Sequence, residues 1–321
     1  MQRIVWTAAA LFISFPLAAP AQEYPAKPLR LVVPWPAGGV TDVVARIVGE
    51  KLAGVLGKPI VIDNKSGASG FIGTEFVAKA APDGYTLLLV TSSTHAISPN
   101  LFRKVPYDSV KDFEHIGQVT VAPTILVVPP ALPVKSVAEF VALAKSKPGE
   151  LNYATYGTGS SAHLAAELFM QVTGITATHI PYKGAAPAVA DLMGGHVSMF
   201  FDSIPSSLPH VRTGKLKALA VTGLKRTPAA PEIPTVAETY PGFDFSVWQG
   251  FDAPAGTPKA IVDRLNADLV KVMAMPDLRE KLLNLGADPV SGTPQQFAEH
   301  IARERDKWAA VVKRAGIPIA D

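Results

Sequence analysis

Two glycine-rich turns are the segments of this sequence whose residue types and spacing could do chemistry. The first covers residues 34–42 (PWPAGGVTD) and the second covers residues 156–163 (YGTGSSAH). Each follows an apolar, strand-like run and precedes a segment with helical periodicity. Because such a turn aims unpaired backbone N–H groups and the positive end of a helix at one point, it can bind an anion. Two turns of this kind predict a small acid held between two lobes.

The residues within the turns suit this chemistry in different ways. Gly38 and Gly39 let the backbone approach a ligand with no Cβ in between. Thr41 or Asp42 can cap the helix that follows. Neither turn contains Arg or Lys, so an anion would be held by backbone N–H and hydroxyl groups. A tight, capped turn without any ligand would use the same residues, and that alternative stays open.

Polar residues after two further strand-like runs complete the candidate site, because open α/β sheets bind ligands beyond the carboxyl ends of their strands. One run ends before Ser92, and Asp202 ends the other. Asp202 could instead cap the helix that is predicted to begin near Ser203. The candidate ligand-binding residues are Trp35, Ala37, Gly38, Gly39, Thr41, Asp42, Ser92, Ser93, His95, Tyr156, Thr158, Gly159, Ser160, Ser161, His163 and Asp202.

Several catalytic and cofactor-binding classes fit the sequence poorly. Residues 157–162 match the loose dinucleotide pattern G-x-G-x-x-G/A, but no acidic residue follows at the usual distance. A serine hydrolase lacks its G-x-S-x-G elbow, and His163 follows Ser161 too closely on one helix for their side chains to meet. The seven histidines are scattered and cysteine is absent, which disfavours a metal site. We therefore predict no catalytic residue, metal or cofactor.

The N-terminal residues 1–21 have the features of a cleaved secretory signal peptide. Arg3 supplies the positive charge, residues 4–15 are apolar, and residues 19–21 (APA) form a cleavage site. About a dozen apolar residues are too few to span a bilayer. A formal net charge of +3 indicates neither a nucleic-acid partner nor an anionic membrane. The expected location is the periplasm, where a chain of this size needs no disulfide.

Strand-like and helix-like segments alternate along the chain, which is typical of α/β sheets flanked by helices. The predicted lobe crossings are 120–124 and 222–235, so lobe 1 would comprise residues 22–122 and 235–321 and lobe 2 residues 123–234. The predicted strands are 29–34, 59–63, 86–90, 125–128, 152–155, 176–180, 196–201 and 216–221, with an extended segment at 243–251. The predicted helices are 42–56, 70–80, 137–146, 162–172, 185–193, 258–273, 277–285 and 294–315, and each of the last three follows a proline-based start signal.

The chain resembles the Bug-type extracytoplasmic substrate-binding proteins of tripartite tricarboxylate transporters. Each matching motif is short, but eight of them occur in order from Tyr24 to the C-terminus. They are 24–28 (YPAKP), 34–42, 64–70 (NKSGASG), 82–86 (PDGYT), 156–163, 181–184 (PYKG), 234–235 (PT) and 253–258 (APAGTP).

The resemblance implies a two-lobed Venus-flytrap fold, in which each lobe is an open, mostly parallel sheet flanked by helices, and no catalysis. It implies a ligand carboxylate between the lobes, held by residues 37–39 and by the helix start at 158–161. It further implies a small-molecule carboxylate ligand, inner-membrane permease subunits as partners and, we expect, a monomer. Two other hypotheses remain: a secreted α/β hydrolase acting on a small anion, and a subunit that presents its ligand to a signalling partner.

Overall fold

The computed structural model describes residues 24–157, 160–182 and 184–319 of the chain. The predicted signal peptide, Thr158 and Gly159 lie outside the described residues. The strands are β1 (Leu29–Val33), β2 (Ile60–Asn64), β3 (Thr86–Thr91), β4 (Phe113–Val128), β5 (Asn152–Thr155), β6 (Thr178–Pro181), β7 (Met199–Ser203), β8 (Lys217–Val221), β9 (Ser246–Pro254) and β10 (Asp288–Pro289).

Ten α-helices are described. They are α1 (Val40–Leu56), α2 (Phe71–Ala78), α3 (Ser98–Leu101), α4 (Val137–Ser146), α5 (Ser161–Thr173), α6 (Ala185–Met193), α7 (Ile204–Arg212), α8 (Lys259–Met273), α9 (Pro276–Asn284) and α10 (Pro294–Ala315). A π-helical turn over Ser93–Ile97 joins β3 to α3. Within the described residues, no helix combines the length and the apolar character needed to cross a lipid bilayer.

The strands form a mixed sheet in the order β2-β1-β3-β9-β4-β7-β5-β6, with β8 and β10 also paired to β4. β1 is parallel to β2 and β3, and β5 is parallel to β6 and β7. These parallel groups are what the alternating pattern predicts. β9 and β4 lie between them and run antiparallel to their neighbours. We call β1–β3, β9, β10 and the first part of β4 lobe 1, and β5–β8 with the last part of β4 lobe 2.

The sequence pattern underestimates β4, which is one continuous strand rather than a short strand after a crossing. It pairs with β9 from Phe113 to Pro123 and with β7 and β8 from Thr124 onward. Its first part interrupts the apolar pattern with His115, Gly117 and Gln118, so the sequence predicts no strand there. The pairing partner β9 lies far away in sequence, and that long-range contact makes the segment a strand. For β7 the predicted start at His196 is too early, because the strand begins at Met199.

The two lobes meet where β4 passes from one to the other. Thr222, which follows β8, hydrogen-bonds to Thr124 on β4. The Thr124 N–H donates to Thr222 Oγ1 (2.7 Å), and the Thr222 N–H donates to the Thr124 carbonyl (2.9 Å). Both threonines are buried. The predicted crossings therefore contact each other, whereas the residue boundaries of the lobes stay a prediction.

Helix α1 illustrates how the sequence positions the first turn. Val44, Val48 and Leu52 recur every fourth residue and are buried, so one face of the helix packs on the sheet. The helix ends at Gly57, whose φ of 67° suits a left-handed C-cap. Its N-terminus lies at the carboxyl end of β1, where open α/β sheets bind ligands.

The contact between β9 and α10 gives a test of this packing. A Cβ at Gly250 would overlap the Phe297 ring and lie 2.9 Å from the Gly117 carbonyl oxygen. We expect Gly250→Ala to lower the free energy of unfolding by about 1–3 kcal/mol, as overpacking does. Chemical denaturation measures this.

Gly54→Ala is the matched control, because Gly54 lies within α1 and a Cβ there would meet no atom within 4 Å. That substitution should stabilise the protein by up to about 1 kcal/mol through helix propensity. Equal effects of the two substitutions would contradict the close packing of Gly250 against Phe297.

Candidate functional site

The first glycine-rich turn is held in shape by the buried carboxylate of Asp42. It accepts hydrogen bonds from the Gly38 N–H (2.8 Å), Arg46 Nε (3.0 Å) and Asn64 Nδ2 (2.9 Å). Asn64 Nδ2 also donates to the Trp35 carbonyl (3.1 Å). The hydrogen bond from Arg46 is the main cause that lowers the pKa of Asp42 to about 2, so the carboxylate is ionised at neutral pH. The ionised Asp42 carboxylate thus fixes the conformation of the first turn through these hydrogen bonds.

The prediction that Thr41 or Asp42 caps α1 is wrong, because both lie inside the helix. Gly39 is the N-cap, with extended backbone angles (φ −75°, ψ 165°) that any residue can adopt. The Thr41 hydroxyl instead accepts a hydrogen bond from Gln249 Nε2 on β9 (3.2 Å). The first N–H groups of α1 have no partner within the helix, and Ala37, Gly38 and Gly39 are exposed beside them.

The second turn leads into α5, whose N-cap is Ser160. The Ser160 hydroxyl accepts a hydrogen bond from the His163 N–H (3.3 Å), which orders the first turn of the helix. Ser161 is the first residue of α5 and is only partly buried. Thr158 and Gly159, also candidate ligand-binding residues, lie outside the part of the chain that is described.

A cleft of about 310 Å³ is lined by Trp35 from the first turn, by the start of α5 and by the π-helical turn. Ala37, Gly38, Gly39, Thr41 and Asp42 are not among its lining residues, so their role in ligand binding stays a prediction. Trp35, Ser92 and Ser93 line it from lobe 1, and Ser161 lines it from lobe 2. Four candidate residues that are far apart in sequence are therefore brought together. Eight further residues line the cleft that the sequence analysis did not select: Ser69, Ile97, Ser98, Leu101, Phe102, Val247, Ile317 and Pro318.

Two buried polar atoms on lining residues of the cleft have no hydrogen-bond partner among the residues that the structure describes. They are Trp35 Nε1 and Ser92 Oγ. A buried polar group left without a partner costs about 1–3 kcal/mol, and native structures contain few of them. The indole N–H can only donate, and the hydroxyl can donate or accept. The pair is therefore suited to the acceptor oxygens of a bound molecule.

His95 lies behind this lining rather than in it. It is fully buried, with its Nε2 3.1 Å from Asp252 Oδ2, and the same carboxylate lies 3.0 Å from His115 Nδ1. Burial lowers the pKa of His95. For His115, burial is again the largest single cause, but the charge and hydrogen bond of Asp252, together with the charge of Glu114, outweigh it and the pKa is raised. One buried carboxylate thus lies beside two histidines whose pKa values are shifted in opposite directions.

Asp202, Tyr156 and His163 also have partners inside lobe 2. Asp202 is fully buried and accepts hydrogen bonds from the Tyr156 hydroxyl and from Ser207 Oγ (2.6 Å). It does not cap α7, because Ser203 is the N-cap. The His163 ring stacks on His179 beneath the start of α5, with ring centroids 4.3 Å apart. None of the three is among the described residues that line the cleft, so their role in ligand binding stays a prediction.

No cluster of three or more His, Asp or Glu side chains that could hold a metal ion occurs in the described ranges. The lining of the cleft offers hydroxyl and indole groups together with apolar side chains, a set that is suited to binding and orienting a molecule.

Comparison with known proteins identifies the kind of binding protein. The family described as tripartite tricarboxylate transporter family receptor matches residues 44–317. This chain belongs to that family. The family is one of receptors, so the protein is a substrate-binding receptor and not an enzyme, and the hydrolase hypothesis is wrong.

Individual relatives agree with this assignment over almost the whole receptor. Protein BugT of Bordetella pertussis is 41% identical over 304 residues, covering 94% of this chain and 93% of its own. The structure of R. palustris Rpa4515 with adipate is 39% identical with a TM-score of 0.74, over 92% of this chain and 99% of that one. MatC from Rhodopseudomonas palustris with bound malate is 35% identical with a TM-score of 0.70, over 90% and 100%. The predicted α/β periplasmic-binding-protein fold is confirmed.

The receptor's first turn gives a prediction about pH. The pKa of Asp42 is lowered in the folded protein, so its ionisation adds stability above the unfolded pKa that is lost as pH falls towards about 2. We expect Asp42→Asn to lower the free energy of unfolding at pH 7 by about 1–2 kcal/mol, allowing for solvent screening around Arg46. The difference in free energy of unfolding between the parent protein and Asp42→Asn should narrow as the pH falls from about 5, because Asp42 then becomes protonated.

Denaturant titrations at several pH values measure this gap. Asp263→Asn is the control, because Asp263 is half-exposed and forms an ion pair with Lys259 on the helix surface. Its removal should change stability by less than about 0.5 kcal/mol. A gap for Asp42→Asn that does not vary with pH would contradict the role of its charge.

Proposed function

We propose that this protein is a periplasmic receptor that captures a small organic acid in the cleft between its lobes and delivers it to a membrane permease of the tripartite tricarboxylate type. The observation that carries the proposal is the pair of buried, unpartnered polar atoms, Trp35 Nε1 and Ser92 Oγ, on residues that line the cleft. A carboxylate oxygen would satisfy both, since it accepts hydrogen bonds from neutral donors.

The helix starts favour the same charge. The N-termini of α1 and α5 carry partial positive charge, and apart from the His163 N–H that Ser160 caps, their first N–H groups have no partner within the helix. Such helix starts stabilise an anion. Ligands of two similar structures have the same chemistry, because adipate and malate are both carboxylates. Binding of the acid by neutral hydroxyl, indole and backbone N–H groups avoids burying a full cationic partner, whose desolvation is costly.

Ser161 is the proposed ligand contact that depends on closure of the lobes. It stands on lobe 2, whereas Trp35 and Ser92 stand on lobe 1, so a ligand can touch all three only when the lobes are close. Because a ligand shifts a conformational equilibrium only through contacts that differ between the states, Ser161 would favour the closed state. We further propose the lobe boundaries 22–122 with 235–321 and 123–234, a cleaved signal peptide over residues 1–21, and a monomeric state.

Variants of two neighbouring serines test ligand binding and stability separately. Ser161 lines the cleft, whereas the Ser160 hydroxyl is used to cap α5. We expect Ser161→Ala to weaken carboxylate binding about tenfold or more, as loss of a hydrogen bond to a charged group does, with little change in stability. Ser160→Ala should lower the free energy of unfolding by about 1 kcal/mol as a lost N-cap.

Isothermal titration with a panel of mono-, di- and tricarboxylates measures the first effect, and denaturation measures the second. The parent protein must bind at least one carboxylate of the panel, and failure with every acid would refute the proposed function. Tight binding by Ser161→Ala, with small-angle scattering still reporting ligand-induced compaction, would remove α5 from the site.

Gly39 tests the first turn in the same way. Its backbone angles suit any residue, and the nearest atom to a Cβ there is the Pro36 carbonyl oxygen at 3.6 Å, so the fold has room for a side chain. We expect Gly39→Val to retain its circular dichroism spectrum but to weaken binding at least about tenfold, because the added side chain would keep the ligand from the backbone. Normal binding by Gly39→Val would mean that residues 37–39 form only a structural turn.

A further inference from the structure

We infer that the preferred ligand is a monocarboxylate with an apolar, aromatic body, rather than a di- or tricarboxylate. This inference rests on the proposed function, because it assumes that the cleft binds a carboxylate. It names the class of acid from the distribution of polar and apolar side chains around that cleft.

The lining of the cleft combines hydrogen-bonding and apolar side chains. The residues that carry an indole N–H or a hydroxyl group are Trp35, Ser69, Ser92, Ser93, Ser98 and Ser161. The apolar residues include Leu101 and Phe102 at the end of α3, Val247 on β9, and Ile317 with Pro318 in the C-terminal segment, and we call these five the apolar wall. A ligand in the cleft would therefore meet both hydrogen-bonding groups and hydrocarbon.

The apolar wall is ordered by contacts of its own. The Phe102 ring packs edge-to-face on Phe71, with centroids 5.0 Å apart. Helix α10 ends at Gly316, whose φ of 61° turns the chain, and the Ile317 N–H then donates to the Val312 carbonyl (3.2 Å). Ile317 is buried. Three separate segments thus converge on this wall, each held by packing or a hydrogen bond.

The physical consequence is a preference for hydrocarbon at that wall. An apolar body gains free energy for each part of its surface that leaves water, and an aromatic ring has the flat shape and favourable ring contacts to use Phe102 and Trp35. A second carboxylate placed there would lose its hydration against apolar side chains, which is costly. A cavity of about 310 Å³ is at the small end of the range for ligand pockets and suits a compact ligand.

The test is isothermal titration of the intact mature protein with benzoate and phenylacetate against succinate, adipate and citrate, at one pH and ionic strength. We expect one of the aromatic monocarboxylates to bind at least about tenfold more tightly than any of the three multiply charged acids. Tighter binding of succinate, adipate or citrate would overturn this inference and leave the proposed function intact. Absence of binding by all five acids would count against the proposed function as well.

Variants locate the preference at the apolar wall. Leu101→Asn should weaken binding of the aromatic acid about tenfold and change binding of adipate less than about threefold, because only the former needs hydrocarbon there. Leu224→Asn is the matched control, since Leu224 is 63% exposed and does not line the cleft. It should leave both affinities unchanged.

Val247→Thr serves as a second variant of nearly the same shape, in case Leu101→Asn does not fold. It too should weaken the aromatic acid more than adipate, because it places a hydroxyl in the apolar wall. Equal weakening of both acids by the folded variants would show that the wall does not set the preference, and would overturn the inference.

Discussion

The antiparallel pairing of β4 with β9 is the constraint on which the arrangement of the site depends. The two strands pair from Phe113 opposite Pro254 to Pro123 opposite Ser246. This pairing places Asp252 beside His115, sets Gln249 against the first turn, and directs Val247 to the cleft. Beyond Pro123 the same strand β4 enters lobe 2, where Thr124 bonds to Thr222. A change in the β4–β9 register would therefore move both the floor of the cleft and the junction between the lobes.

Buried polar groups near the cleft fall into two classes with different consequences. Asp42, Asp202 and Asp252 each accept several hydrogen bonds or face ionic partners, so their charges are compensated within the protein. Trp35 Nε1 and Ser92 Oγ have no such partner among the described residues. Removal of a partner from the first class would leave a buried polar or charged group unpaired, which is costly. A ligand that hydrogen-bonded to the second class would instead remove the cost of leaving these atoms without a partner.

The sequence predicts the local elements well and the long-range ones poorly. Helices α4 and α6 begin and end where the apolar period and the turn residues indicate, because these signals lie within the helix itself. The sequence predicts only residues 125–128 of β4, since the first part of that strand gains its strand character from pairing with β9. The sequence also predicts Thr41 or Asp42 as the cap of α1, whereas Gly39 occupies that position and the Asp42 carboxylate accepts a hydrogen bond from the Gly38 N–H.

The candidate site shows the same division. Trp35, Ser92, Ser93 and Ser161 could be selected from the sequence because each lies at a strand end or a helix start, and parallel strands bring such ends to one edge. The apolar wall could not be selected in this way. Leu101 and Ile317 lie more than 200 residues apart and carry no chemical signature, and the packing of α10 against the π-helical turn and α3 brings them together. Polar groups that recognise an acid can thus be found from local patterns, whereas the surface that would distinguish one acid from another is a property of the assembled fold. Among relatives with the same glycine-rich turns, ligand preference should accordingly follow the residues of that wall rather than those of the turns.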